Sequence, residues 1–230
     1  MGNTYTGMGI DRPVLSFIPC FTRGTRIATP DGDRPVEQIR AGDWVTTLDH
    51  GPQQVRWVGS RRIAAADLAA NPRLCPVRIA AGALGPGIPS ADLMVSQQHR
   101  ILVRSPIAAR MTGTSEVLVA ARHLVGLPGI ERVEKAAGLE YWHILMDRHE
   151  VLVADGAATE SLYLGDQACL ALGAAARAEI ARLIPQRFGP NGTATPPEPA
   201  RILLPGRQAR RMAERHEMNE RQLFQPLLAA

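Results

Sequence analysis

Two stretches of this chain set reactive side chains in order: Cys20-Phe21-Thr22-Arg23-Gly24-Thr25-Arg26-Ile27 and, much later, Ser96-Gln97-Gln98-His99. A thiolate is a strong nucleophile even when only a small fraction of the thiol is ionised near neutral pH. A hydroxyl and an imidazole three residues apart suggest helpers for such a nucleophile. A third block, Glu140 to Gly156, carries His143 and His149. In one continuous strand both imidazoles would face the same side, unless a turn at Asp147-Arg148 intervenes. His149-Glu150 opens like a zinc-protease motif, but the second histidine of HExxH would fall on Val153. Cys20, Cys75 and Cys169 are too few and too scattered for a disulfide framework, and no CxxC spacing supports zinc. No metal and no organic cofactor is expected, and Cys75 and Cys169 read as core residues.

The elements that must position these groups read as β-strands. From Thr25 to Gly165 short apolar runs alternate with turn signals such as Thr29-Pro30-Asp31-Gly32-Asp33, Ala41-Gly42-Asp43, Leu127-Pro128-Gly129 and Ala154-Asp155-Gly156. Trp44-Val45-Thr46-Thr47-Leu48, Gln54-Val55-Arg56-Trp57-Val58, Leu93-Met94-Val95-Ser96 and Arg100-Ile101-Leu102-Val103 are strand-like. Their spacing favours a sandwich or barrel-like all-β fold over alternating βα units. Val36 to Ile39 reads as one helical turn. After Gly165 the pattern becomes helical, from a cap at Asp166 through Ala168 to Ile184, with Pro185 as the stop. Residues 1–19 form a leader, 20–165 the β domain, 166–188 a helical appendage, 189–200 a Gly/Pro linker and 201–230 an Arg-rich helical tail. The tail reads as a solvated helix or a frayed end, with a docking helix for a protein partner as the alternative.

Composition narrows the function classes. The formal charge is +4, and Lys135 is the one lysine among 26 basic residues. That bias, with abundant Ala, fits a GC-rich bacterial genome. The basic residues are spread along the chain without one patch of interleaved aromatics, so no specific nucleic-acid partner is expected. No basic N-terminal region precedes a long apolar run, and no 18-residue apolar stretch exists to span a bilayer. No membrane association is expected, and the cytoplasm is the default location.

Taken together, the blocks resemble the Hint domain, the hedgehog/intein self-processing module, in its bacterial branch that begins Cys-Phe-Thr-Pro-Gly-Thr. The likeness runs from Cys20 through Thr29, Gly32, the Val36…Ile39 turn and Gly42-Asp43-Trp44-Val45 to Leu93…Val103 and His149…Gly156. It implies the Hint β fold, here with a C-terminal α-helical extension, and chemistry on the chain's own backbone. Cys20 Sγ would attack the carbonyl of Pro19 and convert the Pro19–Cys20 amide to a thioester, with the leader as substrate. The Thr-x-x-His pair, which contacts the scissile amide in the family, falls on Ser96 and His99. His149 would be a further polar group near the site.

Departures from the family pattern bound the activity. Gly156 is followed by Ala157-Ala158-Thr159-Glu160-Ser161, without the Asn whose cyclisation completes splicing in inteins. Cleavage without splicing is therefore expected. The Asp that inteins carry seven residues before their late His is Trp142 here, one residue from His143, whose role the motif leaves open. No counterpart of the hedgehog Asp that activates a sterol is found. Pro19 before the nucleophile fixes its own φ and restricts how the scissile carbonyl is presented. The alternative function is a Hint-fold binding or scaffold module without useful autocatalysis.

Overall fold

The computed structural model of the protein describes residues 18–134, 137–165, 168, 172–188 and 195–225. The strands in chain order are β1 (Phe21–Thr22), β2 (Arg26–Ile27), β3 (Arg34–Pro35), β4 (Trp44–Thr47), β5 (Gly51–Gln54), β6 (Trp57–Ile63), β7 (Val77–Ile79) and β8 (Leu93–Val95). They continue with β9 (Arg100–Arg104), β10 (Glu116–Ala120), β11 (Ile130–Arg132), β12 (Leu139–Leu145), β13 (Val151–Ala154), β14 (Ala157–Glu160) and β15 (Ile202–Leu203). The helices are α1 (Ala65–Ala70), α2 (Pro106–Thr112), α3 (Ala174–Leu183) and α4 (Gly206–Met218).

One sheet has six strands in the order β11-β7-β8-β1-β12-β6. The other has nine, β15-β10-β9-β14-β13-β2-β3 with β4 and β5 attached through β13. The two-residue period of each strand divides the apolar side chains into layers. From β12, Trp142 and Ile144 enter the central core while Tyr141 and Leu145 enter an outer cluster. From β9, Ile101 and Val103 enter the central core while Leu102 faces the opposite outer cluster with Leu118 of β10. The central core is thus filled from both sheets. The outer face of the six-stranded sheet is covered by Leu68 of α1 and by Ala176 and Ile180 of α3.

Local chemistry explains the turns. Asp155-Gly156 joins β13 to β14 with φ of 46° and 76°, the pair of positive angles that a tight two-residue hairpin requires. The Ser105 hydroxyl accepts the Ala108 amide at the start of α2, and Pro106 occupies its first turn, where no amide donor is needed. The expected turn at Val36 is a short 3-10 helix over Val36–Gln38. A bend at Asp147-Arg148 does separate β12 from β13, so His143 and His149 are not on one strand.

The all-β class with helices added toward the C-terminus is as the sequence implies. Two element assignments differ. The appendage is broken at Leu172-Gly173: Ala168 is helical and helix α3 starts at Ala174, while the expected cap Asp166, like Cys169 and residues 1–17 of the leader, lies outside the described residues. The tail is not merely a solvated helix. Helix α4 buries Ala209, Met212, Ala213 and His216, three of them in the central core, and Leu204 and Leu223 join it from either side. Arginines and glutamates occupy the remaining positions, so the charge count masks an apolar stripe of helical period. Strand β15 also pairs in parallel with β10, and Arg201 bridges Asp49 and Glu116.

Candidate active site

The register of two strand pairs decides what surrounds Cys20. Phe21 of β1 lies opposite Val95 of β8 on one side and Trp142 of β12 on the other, both antiparallel. One residue earlier, Cys20 therefore falls between Ser96 and His143. The Ser96 amide donates to the Cys20 carbonyl at 2.9 Å, which carries the ladder one residue past β8. Ile18, Pro19 and Cys20 are all buried, with Cys20 only 2% exposed.

Ser96 holds the peptide that precedes the thiol. Its Oγ accepts the amide N–H of Cys20 at 3.0 Å and donates to the Ile18 carbonyl at 2.9 Å. The hydroxyl hydrogen and a lone pair are thereby both engaged, and the plane of the Pro19–Cys20 amide is pinned from the nitrogen side. The Cys20 thiol donates to the Ile18 carbonyl at 3.2 Å. Burial pushes its pKa far above the ordinary thiol range; the Ser96 bond pulls it back and the charge of Glu160 adds to the rise.

His143 contacts both the Pro19 carbonyl and the Cys20 thiol. Its Nδ1 lies 2.9 Å from the Pro19 carbonyl oxygen, and its Nε2 lies 3.9 Å from Cys20 Sγ. A carbonyl only accepts, so Nδ1 carries the hydrogen. Burial lowers the imidazole pKa to about 4, with the Pro19 carbonyl pulling upward and Arg61 adding to the fall. The ring is therefore neutral near pH 7, with the Nε2 lone pair turned to the thiol. The arrangement can accept the thiol proton at one nitrogen while its other nitrogen donates to the Pro19 carbonyl.

His99 stands behind β1. Its ring packs on Phe21 with centroids 4.4 Å apart, and neither ring nitrogen has a hydrogen-bond partner. Burial lowers its pKa to about 4; Glu160 and the nearby Cys20 carbonyl oppose the fall, and Arg100 and His143 add to it. His149 belongs to a separate contact set. Its Nδ1 accepts the Ala200 amide at 3.1 Å, its Nε2 faces Glu160 at 3.2 Å, and its ring packs on Tyr163. Of the residues singled out from the sequence, Pro19, Cys20 and Ser96 are joined by direct contacts. His99 packs beside them, and His149 has both nitrogens occupied elsewhere.

His143 is the residue that motif spacing missed. Its signal was period-two alternation in Tyr141-Trp142-His143-Ile144-Leu145, which sends His143 to the face shared with Tyr141 and Leu145. The motif position Trp142 points into the central core instead, with its indole N–H unpartnered. Choosing between these faces requires the strand register. Among the described residues no group of three His, Cys, Asp or Glu side chains is arranged to hold a metal ion, and no helix is long and apolar enough to cross a membrane.

Residues 19–166 match the sequence profile of the Hint domain. Among solved structures, the chain is similar to a bacterial intein-like domain from Clostridium thermocellum, at 15% identity and a TM-score of 0.42, covering 62% of this chain and 97% of that one. It is also similar to the gp41-1 intein, at 13% identity and a TM-score of 0.36, covering 61% and 97%. The MchDnaB-1 intein matches at 13% identity and a TM-score of 0.39, covering 61% and 98%. No curated protein matches the chain.

Proposed function

The chain belongs to the Hint domain family, whose members are self-processing modules, and on that footing we propose that it cleaves its own Pro19–Cys20 bond through a thioester, without splicing. The observation that carries this reading is the contact of His143 with both the Pro19 carbonyl oxygen and the Cys20 thiol. In the first step Cys20 Sγ attacks the Pro19 carbonyl carbon and passes its proton to His143 Nε2. The charge developing on the oxygen is met by the His143 Nδ1–H, now part of an imidazolium. A donor of this kind is worth on the order of 10²–10³ in rate.

Collapse of the adduct breaks the C–N bond. The departing nitrogen needs one proton and the thiol has given up one, so the acyl shift balances without an external acid. Ser96 keeps the nitrogen in place; His99, in the family's role, hands it a proton and takes back the one held by the His143 imidazolium, so both rings end neutral. Water then adds to the thioester, freeing a Pro19 carboxylate and restoring the Cys20 thiol. With Ala157-Ala158 after Gly156 and no Asn, nothing drives a second cut, so the C-terminal segments stay attached.

Intact-mass measurement of the purified chain, with and without hydroxylamine, tests the reading. The wild type is expected to lose the mass of residues 1–19, faster with hydroxylamine. Cys20→Ala should stay full-length, and His143→Gln should slow the loss about 10²-fold. Persistence of full-length mass in every sample over days would overturn it. A second reading, a Hint-fold scaffold without turnover, is favoured by the burial and raised pKa of Cys20. It predicts a thiol that resists alkylation at neutral pH together with an unchanged mass.

A further inference from the structure

Glu160, at the end of β14, is a fully buried carboxylate that the proposed reaction does not touch. Its Oε1 accepts the backbone amide of Arg100 at 2.8 Å and the Arg100 guanidinium at 3.2 Å. Its Oε2 accepts the same guanidinium nitrogen at 2.8 Å and faces His149 Nε2 at 3.2 Å. The Ala200 amide donates to His149 Nδ1, so that nitrogen is the acceptor and Nε2 carries the hydrogen that Glu160 receives. Each carboxylate oxygen thus receives two donors, and burial alone, which would raise the pKa, is outweighed by Arg100, His149 and His99. The carboxylate is charged at neutral pH.

The Arg100 amide is the first peptide after His99. The Ser96–His99 turn closes with the His99 amide donating to the Ser96 carbonyl at 3.0 Å, and its exit is tied to Glu160. His99 itself has no hydrogen-bond partner on either nitrogen, although it is 1% exposed. An imidazole without a bond of its own is placed by its backbone, by the Phe21 ring and by the surrounding charges. Those charges are Glu160 from β14, Arg100 from β9 and His143 from β12, joined by the dipole of the nearby Cys20 carbonyl, and Glu160 in turn contacts His149.

We propose that Glu160 is the positioning residue for His99, fixing the exit of the Ser96–His99 turn through the Arg100 amide and setting the charge that the buried imidazole meets. The proposal rests on the reading of His99 as proton donor to the departing nitrogen. It also gives His149 a place: through its Nε2–H it holds Glu160, and through Ala200 it links that carboxylate to the C-terminal segment.

Two measurements on the full chain separate this from a purely structural clamp. The first is the NMR titration of the His99 imidazole, read in the Cys20→Ala background so that the chain stays whole. The second is the rate of hydroxylamine-driven loss of residues 1–19 against pH, read with Cys20 present. Glu160→Gln keeps the shape and removes the charge. It should lower the His99 midpoint by about one pH unit or more, slow cleavage at least tenfold and displace its acid limb. Glu160→Asp keeps the charge and retracts the contact; it should leave the His99 midpoint near that of the parent and slow cleavage at least fivefold.

An unchanged His99 midpoint in Glu160→Gln, with cleavage within twofold of wild type in both variants, would overturn the proposal. If Glu160→Gln does not fold, Glu160→Asp decides alone: cleavage within twofold of wild type overturns it. Should the wild type itself not cleave, the cleavage reading fails. The titration then still decides whether Glu160 governs His99.

Discussion

At the scale of single residues, the site is built from groups whose ionisation the fold suppresses. His99 and His143 have pKa values of about 4, against 6.5 in an open chain, chiefly because burial penalises the charged ring. An unfolded chain takes up protons below pH 6.5 that the folded chain refuses until about pH 4. Their contribution is therefore fully present above pH 6.5 and is lost as pH falls toward 4, about 3 kcal/mol for each ring. Asp155, raised to about 6 chiefly by burial, has the opposite sign: it stabilises the fold in acid and that contribution is lost as pH rises through 6. His123, likewise lowered to about 4 by burial, and His216, also lowered by burial, add to the same side, so the histidines outweigh Asp155 and the urea midpoint should fall between pH 6.5 and 4. In His143→Gln the fall should be shallower, and an unchanged slope would count against a buried neutral His143. Only part of this was legible in the residues. Cys20, Ser96 and His99 stand out by type and order, whereas His143 looks like any strand histidine until its partner across the sheet is known.

At the scale of elements, β6 and β12 make the wall of the site, and their register leaves a specific requirement at Gly59. Gly59 lies opposite His143, and a Cβ added there would come within 2.1 Å of the Trp57 ring. The glycine is needed for space, since the Trp57 indole folds back over it within the outer cluster that holds Cys20 and Tyr141. Gly59→Ala should force that ring outward and cost about 1–3 kcal/mol, lowering the melting temperature by roughly 3–10 °C. Tryptophan emission should shift as the ring leaves its buried seat. A melting temperature within a degree of wild type would show that the indole relocates freely. Strands of this kind are readable from alternation and turn residues, and β4, β8 and β9 begin where the pattern places them. Their partners are not readable, because a two-residue period repeats identically against any neighbour.

At the scale of the whole molecule, the C-terminal segment is part of the domain. Met212 is completely buried in the central core, Leu204 and Leu223 flank it, and His216 bonds Ser105 at the start of α2. Met212→Ala should cost about 2–5 kcal/mol. Removing residues 201–230 should abolish a cooperative urea transition, because it uncovers the core and strips β15 from β10. A truncated chain that unfolds at the wild-type midpoint would show instead that the tail only rests on the surface. The amino-acid sequence by itself determined the family, the all-β class, the candidate nucleophile and the lack of an asparagine after Gly156, because these lie in residue type and order along the chain. The tertiary structure alone decided that His143 meets Cys20, that Glu160 stands behind His99 and that a highly charged tail completes the core. Each of those depends on which distant segments become neighbours, and hydrophobic period and charge count are blind to that.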